Sequence, residues 1–85
     1  MERFEVLIQQ LFLPLVMHPE KVQVTTVSEE ENFITYQVFV DASDLGRVIG
    51  KGGRVANAVR TIAYAGAAKA GKRIRIDIDA YPQNE

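Results

Sequence analysis

The first apolar positions of the chain recur at intervals of three and four residues, which is the spacing of one face of an α-helix. They are Phe4, Leu7, Ile8, Leu11, Phe12 and Leu15. This pattern predicts a helix over residues 4–16 that packs an apolar stripe against a core. Pro14 lacks a backbone N–H, so we expect it to kink this helix or to begin its last turn, and His18-Pro19 to mark its end.

Two segments then alternate apolar and polar residues, as strands with one buried face do. They cover residues 21–28 and 32–40. The connector between them is short and strongly polar, so an antiparallel hairpin is the expected pairing. Its acids, Glu29, Glu30 and Glu31, are typical of a solvated turn rather than of a ligand site.

The second half of the chain predicts two helices separated by a glycine loop. Asp41, Ser43 and Asp44 offer N-cap side chains before a short apolar segment over residues 45–49. Residues 50–53 contain three glycines, and these would be costly inside a helix, so they predict a tight loop. Helical spacing resumes at Arg54 and ends at Gly71, a residue suited to the position after a helix.

This long helix is expected to have a buried face formed by Val55, Val59, Ile62, Ala63, Gly66 and Ala70. Its polar face would carry Arg54, Asn57, Arg60, Thr61 and Tyr64. Strict alternation over residues 73–80 then predicts a strand whose buried face is formed by Ile74, Ile76 and Ile78. The order α-β-β-α-α-β predicts an α+β domain over residues 1–80, with helices on one face of a three-stranded sheet, and a flexible tail over residues 81–85.

Composition narrows the range of possible chemistry. A chain of 85 residues has room for one domain with a modest core. It contains no cysteine and one histidine, which excludes a disulfide framework, a thiol nucleophile and a His-rich metal site, so no cofactor is expected. Glu2 and Glu5 stand where a signal peptide would be basic. We therefore expect a cytoplasmic protein without membrane insertion.

The formal charge of −1 averages two unlike halves. Residues 1–42 carry two basic and seven acidic side chains, whereas residues 43–85 carry eight basic and four acidic ones. All eight of those basic residues lie between Leu45 and Arg75, a stretch without any acid. This asymmetry indicates a surface that faces a polyanion, and we expect the acidic hairpin to point away from it.

The glycine loop is the most informative segment of the chain. Glycines let a ligand approach the backbone, and the following helix would present its N-terminal amides to the loop, which suits phosphate. Lys51, Arg47 and Arg54 add positive charge, while Val48 and Ile49 supply apolar surface for unpaired bases.

Three other interpretations fit this loop less well. A Walker A loop fails because Leu45 stands where a glycine is needed and Gly52 where Ser or Thr is needed. A dinucleotide fingerprint fails because no G-x-G-x-x-G occurs and the loop joins two helices. A simple helix-helix turn would not need three glycines with an embedded lysine.

The stretch from Val48 to Arg54, V-I-G-K-G-G-R, resembles the V-I-G-x-x-G core of the KH domain, whose G-x-x-G loop clamps about four nucleotides. The extra helix and strand before it resemble the type II, bacterial arrangement, and the likeness to short single-domain KH proteins of the KhpA type covers nearly the whole chain. The resemblance assigns the phosphate clamp to Gly50, Lys51, Gly52 and Gly53. It implies that Ile49 and Val55 form an apolar groove floor and that Arg47 and Arg54 touch phosphates.

The function expected from these features is single-stranded RNA binding without catalysis, since no paired carboxylates or nucleophile-base pair lies near the loop. One groove reaches few nucleotides, so a second groove in a homodimer or in another RNA-binding partner would raise affinity. The resemblance implies self-association, pairing with a larger Jag-type KH protein, and a chaperone role in post-transcriptional regulation linked to cell elongation and division. The alternative is a protein assembly module that uses the small residues Ala65, Gly66, Ala67, Ala68 and Ala70 for close helix contact.

Two interpretations remain open for several further side chains. The basic track could extend along Arg60, Lys69, Lys72, Arg73 and Arg75, or these residues could form a solvated face. Tyr64 could stack on a base or join a protein interface. Tyr36 and Tyr81 are more typical of partly buried aromatics, and His18 of a cap or surface residue.

Overall fold

The computed structural model describes residues 4–82. Three helices and three strands follow the predicted order α-β-β-α-α-β, so the expected α+β architecture is confirmed. They are α1 (Phe4–Phe12), β1 (Gln23–Glu29), β2 (Phe33–Val40), α2 (Leu45–Ile49), α3 (Arg54–Lys69) and β3 (Arg73–Ala80). Short 3₁₀ turns occupy Leu13–Leu15, Pro19–Lys21, Ala42–Asp44 and Lys51–Gly53.

The sheet has the strand order β1-β2-β3. β1 pairs antiparallel with β2, and β2 pairs parallel with β3. The hairpin register shifts between Thr26 and Ser28, where Val27 bulges outward and is 63% exposed. Because β2 is central, its alternation is the most regular, and every second residue from Ile34 to Val40 is buried.

The core lies between the helices and one face of the sheet. α1 contributes Ile8 and Phe12, which are fully buried, and the central strand contributes Val38 and Val40. Ile74 and Ile76 extend this face into β3, as their alternation predicted. The helix predicted over residues 4–16 is α-helical only as far as Phe12, and Pro14 lies in the 3₁₀ turn that follows it.

The buried face of α3 differs from the predicted one. Ala56, Val59, Ala63 and Ala67 form the buried stripe, whereas Ile62 is 55% exposed and Ala70 is exposed. The prediction is confirmed for Val59 and Ala63. It was wrong for Ile62 and Ala70, because the packing selects small side chains on the side of Ala56 and Ala67 that let the helix approach its neighbours closely. Gly66 lies on the flank towards α1, where an added Cβ would stand 3.4 Å from Leu7 Cδ2.

The opposite face of the sheet is partly covered by Tyr81. Its ring stacks on Phe39 with a centroid separation of 5.5 Å, and its hydroxyl donates to Gln23 Oε1 at 2.9 Å. Its backbone N–H donates to Val40 O at 3.0 Å, which continues the β2–β3 pairing beyond the strand end. Of the tail predicted over residues 81–85, residues 83–85 lie outside the described part of the chain.

Candidate nucleic-acid interface

The glycine loop and the acidic hairpin lie at opposite ends of the sheet. The hairpin turn precedes Phe33 at the start of β2, whereas α2 and the loop follow Val40 at its end. A strand of eight residues spans roughly 25 Å at the usual rise per residue. The acidic turn is therefore remote from the loop, as the charge pattern predicted. Within residues 4–82, no helix is both long and apolar enough to cross a membrane.

The backbone of the loop requires glycine. Gly50 has φ 79° and ψ 170°, a region that is open essentially to glycine alone. A Cβ added there would stand 2.4 Å from Val55 Cγ2 and 2.8 Å from the Val55 backbone nitrogen. Val55 thus closes over the end of α2, and Gly53 N–H donates to Gly50 O at 3.1 Å to complete the turn.

The N-terminus of α3 faces the loop without a side-chain cap, because its N-cap residue is Gly53. The first N–H groups of a helix have no intrahelical partners, and together with the helix dipole they favour an anion. α3 is a helix of 16 residues, long enough for its dipole to contribute. The structure therefore places a glycine loop and a helix N-terminus side by side.

Three cations surround this place. Arg47 lies in the last turn of α2, Lys51 in the loop and Arg54 at the first position of α3. Arg47 Nε donates to Asp44 Oδ1 at 3.2 Å, yet the arginine side chain remains 53% exposed. Within residues 4–82, neither Lys51 nor Arg54 takes part in an ion pair. The loop is therefore flanked by positive charge that no nearby carboxylate neutralises fully.

Asp44 anchors the start of α2 and was not recognised in this role from the sequence. Its carboxylate is completely buried and accepts from the backbone N–H groups of Met17 and His18, each at 3.0 Å, as well as from Arg47. Burial raises the pKa of Asp44, but these hydrogen bonds together outweigh it and hold the pKa below its ordinary value. Asp41 caps the 3₁₀ turn Ala42–Asp44, since its Oδ2 accepts from Ser43 N–H at 3.1 Å, whereas the N-cap of α2 itself makes no side-chain capping bond.

The apolar residues predicted to face bases beside the loop are exposed only in part. Ile49 packs partly buried against the core, and Val55 is also partly exposed beside Gly50. Val48 is fully buried in the core, so the expectation that it supplies surface for bases was wrong. Successive side chains of a helix point about 100° apart, so Val48 faces the core while Ile49 stays partly accessible.

A polar row on α3 continues from the loop. Gly53, Asn57, Arg60 and Tyr64 follow one another at steps of four, three and four residues, so they share one flank of the helix. Arg60 Nε donates to Ile76 O at 3.0 Å and its Nη1 to Asn57 Oδ1 at 3.4 Å. This flank therefore faces the free edge of β3. The sequence indicated the polar face, but only the strand order shows which strand edge lies beside it.

The remaining basic residues are dispersed. Arg75 Nε donates to Asp77 Oδ1 at 3.1 Å, so these two residues of β3 form an ion pair along their own strand. Lys72 Nζ donates to Glu31 O at 3.0 Å. Tyr36 is buried more completely than predicted, at 4% exposure, and His18 is a half-exposed side chain near Glu20 and Asp41.

Comparison with known proteins agrees with this geometry. Residues 5–78 match the family described as "KhpA/KhpB, KH domain". The chain belongs to this KH-domain family. The resemblance drawn from the V-I-G-K-G-G-R stretch is thereby confirmed, and the matched range includes both the glycine loop and the α3 row.

Relatives of this KH domain match most of its length. It is similar to a protein named "RNA-binding protein KhpA" from Listeria monocytogenes, with 49% identity over 74 residues that cover 87% of this chain and 96% of the relative. The protein of the same name from Bacillus subtilis is 36% identical over 77 residues, covering 91% and 94% of the two chains.

A solved structure extends the likeness to the fold of another protein. The KH domain superimposes on a crystal structure of an Aquifex aeolicus Era variant bound to GDP·AlF4−, with a TM-score of 0.74 and 14% sequence identity. The match covers 94% of this chain but 31% of the Era chain. At this identity the likeness supports the fold alone.

Proposed function

We propose that this protein binds single-stranded RNA, with residues 50–53 clamping its sugar-phosphate backbone. The observation that carries the proposal is the uncapped N-terminus of α3 behind a glycine loop with exposed cations. Backbone N–H groups would donate hydrogen bonds to the phosphate oxygens, and Lys51 would add charge at the tip of the loop. The names of the relatives support the same ligand.

The other proposed site residues surround the clamp. Arg47 and Arg54 would contact phosphates on either side of it, because both side chains are exposed. Ile49 and Val55 would provide the apolar floor for bases, since each keeps part of its surface accessible beside the loop. Unpaired bases can lie against such a floor, whereas a duplex keeps them stacked inside.

A single clamp of about four nucleotides gives modest affinity. We therefore propose that the protein acts as a homodimer or together with a larger KH-containing protein of the Jag type, because linked sites raise the effective concentration of the second contact. A cytoplasmic role as a non-enzymatic RNA chaperone and post-transcriptional regulator, linked to cell elongation and division, follows from the family resemblance.

The alternative function is protein assembly through α3. Ala65, Ala68 and Ala70 are exposed, which leaves small side chains available for close helix contact. Ala67 and Gly66 are already used inside the domain, where they face the core and Leu7. The assembly function would not require charge or an uncapped helix end at the loop, so variants of the loop separate it from RNA binding.

The test replaces two loop residues together, Lys51→Asp and Gly52→Asp. An added Cβ at Gly52 meets nothing within 4 Å, and aspartate enters left-handed backbone more readily than most residues. We expect affinity for fluorescein-labelled oligouridylate to fall at least about tenfold in fluorescence anisotropy, because two negative charges would face the phosphates.

The matched control places the same charge change on exposed positions of α3, with Lys69→Asp and Ala58→Asp. Circular dichroism establishes that both proteins remain folded, and size-exclusion chromatography reports any change in assembly. Wild-type affinity in the folded loop variant would contradict RNA binding through the loop. A changed assembly state with unchanged RNA affinity would favour the alternative function.

A further inference from the structure

A small pocket lies at the far end of the α3 row. It has a volume of about 250 Å³ and is lined by Phe33, Tyr64, Ala68, Lys72, Arg73 and Ile74. Phe33 is 41% and Tyr64 37% exposed, so two aromatic residues here are accessible to solvent. Ligand pockets usually measure about 300–1,000 Å³. This pocket is therefore suited to one flat group rather than to a large ligand.

The α3 row joins the glycine loop to the pocket, because Tyr64 belongs both to the row and to the pocket lining. Tyr64 follows Arg60 by four residues on the flank of α3 that faces the edge of β3. At the rise of an α-helix, the distance along the axis from Gly53 to Tyr64 is about 16 Å. A ligand clamped only at the loop would not reach the pocket, but a longer strand that follows the β3 edge would.

Backbone hydrogen bonds hold the rim of the pocket in place. Lys72 N–H donates to Ala67 O at 2.9 Å, which closes the end of α3, and Arg73 N–H donates to Asn32 O at 2.9 Å. Lys72 Nζ donates to Glu31 O at 3.0 Å. The segment that joins α3 to β3 is thus fixed to the β1–β2 turn, and the pocket is preformed.

The charges around the pocket favour an anion on one side only. Its lining contains Lys72 and Arg73 and no carboxylate. The acidic turn, Glu29, Glu30 and Glu31, lies immediately beyond Lys72. A phosphate near Arg73 would be attracted, whereas a phosphate beyond the turn would be repelled. A polyanion that ends at the pocket would therefore be accommodated better than one that continues past the acidic turn.

We propose that this pocket is an additional nucleotide subsite, in which one base of an RNA strand held at the glycine loop stacks against Tyr64 while its phosphate contacts Arg73. The inference rests on the proposed function and adds a second contact point to it. Aromatic rings beside cations are the usual platform for unpaired bases, and stacking of this kind tolerates any base. The acidic turn would set the limit of the bound strand.

The test compares oligouridylates of about four and about eight nucleotides, because the clamp alone holds about four. Tyr64→Ala should weaken binding of the longer strand about fivefold or more and leave the shorter strand unaffected. Tyr64→Phe should restore wild-type affinity, since stacking does not need the hydroxyl. Ile62→Ala is the matched control, because it removes another exposed apolar side chain of α3 from the opposite flank.

A second pair of variants tests the charge. Arg73→Gln should weaken binding of the longer strand, whereas Lys69→Gln, which removes an exposed cation outside the pocket, should not. Photocrosslinking with 4-thiouridine placed at either end of the longer strand should label a peptide that contains Tyr64. Crosslinks confined to the loop peptide would overturn the subsite.

The outcomes separate the subsite from the clamp. If the Lys51 and Gly52 double variant loses binding while Tyr64→Ala binds both strands normally, the clamp stands and the subsite is wrong. If Tyr64→Ala leaves RNA binding unchanged but alters the elution volume of the protein, the pocket is a protein contact and the subsite is also wrong. If the loop variant binds normally, the proposed function itself fails.

Discussion

At the scale of single residues, Gly50 and Gly46 lie four positions apart and differ sharply in what they can tolerate. A Cβ at Gly50 would collide with Val55, whereas a Cβ at Gly46 would meet nothing within 4 Å. Gly50 also has a positive φ, and Gly46 lies within α2. One glycine is therefore required by the loop, and the other only lowers helix propensity.

Gly50→Ala should lower the free energy of unfolding by about 1–3 kcal/mol and weaken RNA binding, because the loop must shift to relieve the contact with Val55. Gly46→Ala should raise stability by about 0.5–1 kcal/mol and preserve binding. Chemical denaturation and anisotropy measure the two effects. Equal behaviour of the two variants would show that the loop does not depend on its glycine backbone.

Asp44 gives a pH-dependent prediction at the same scale. Asp44→Asn should lower the melting temperature at pH 7, because an amide cannot accept from all three donors and leaves Arg47 without its carboxylate. The pKa of Asp44 is held below its ordinary value of 3.8. Its carboxylate therefore contributes stability above that pH, and the contribution is lost as the pH falls through the lower folded value.

The difference in melting temperature between wild type and Asp44→Asn should consequently begin to shrink below about pH 3.8, where Asp44 of the unfolded chain takes up its proton, and continue to shrink down to the lower pKa of the folded protein. Thermal unfolding followed by circular dichroism across this range measures it. Asp41 has its pKa lowered by hydrogen bonds from Ser43, and it is present in both proteins, so it does not affect the comparison. A difference that stays constant on acidification would contradict the role given to Asp44.

At the scale of elements, α3 shows where sequence patterns succeed and where they fail. Its bounds follow from local signals, since the glycine loop precedes Arg54 and Gly71 follows the helix end. Its buried face follows only in part, because Val59 and Ala63 were predicted there, whereas Ala56 and Ala67 carry little apolar signal. Ile62, the most hydrophobic residue of the predicted face, points to solvent instead.

Ala63→Leu should therefore cost about 1–3 kcal/mol of stability, since its position is fully buried and has no space for a larger side chain. Ile62→Gln should change stability by no more than about 0.5 kcal/mol. Urea denaturation at a single low protein concentration compares them. A larger loss for Ile62→Gln than for Ala63→Leu would show that Ile62 is packed against the core, as the sequence pattern predicted.

Sequence patterns predicted some parts of the candidate site and missed others. The glycines and their flanking cations are adjacent in sequence, so the motif revealed residues 47–55 directly. The sequence suggested only a local capping role for Asp44. Its donors, Met17 and His18, lie 27 and 26 positions away, and contacts over such separations are not visible in a sequence pattern. The pocket combines β2, α3 and β3, and it could be located only after the strand order was known.

At the scale of the whole molecule, charge is separated between the two ends of the sheet. The basic loop and the acidic turn occupy opposite ends of the sheet, and the near-neutral total conceals this polarity. RNA binding should then depend on few phosphates. For single strands, the logarithm of the binding constant falls by about 0.7 for each contacted phosphate per logarithmic unit of salt.

With Arg47, Lys51 and Arg54 at the loop, binding of a short oligouridylate should have a salt slope of about −2. Lys51→Gln should reduce the magnitude of this slope by about 0.7, because one phosphate contact is lost. Anisotropy titrations over a series of potassium chloride concentrations give both slopes. Affinity that does not respond to salt would rule out the electrostatic part of the proposed function.

The parallel pairing of β2 with β3 also bears on how the protein is made. The hairpin of β1 and β2 is local, but β3 reaches β2 only after α2, the glycine loop and α3 have been traversed. Pairing over such a separation forms slowly. On the ribosome, the strand edge beside Arg60 and Tyr64 does not exist until β3 has emerged, so a nascent chain cannot hold RNA from the loop to the pocket before β3 has been made.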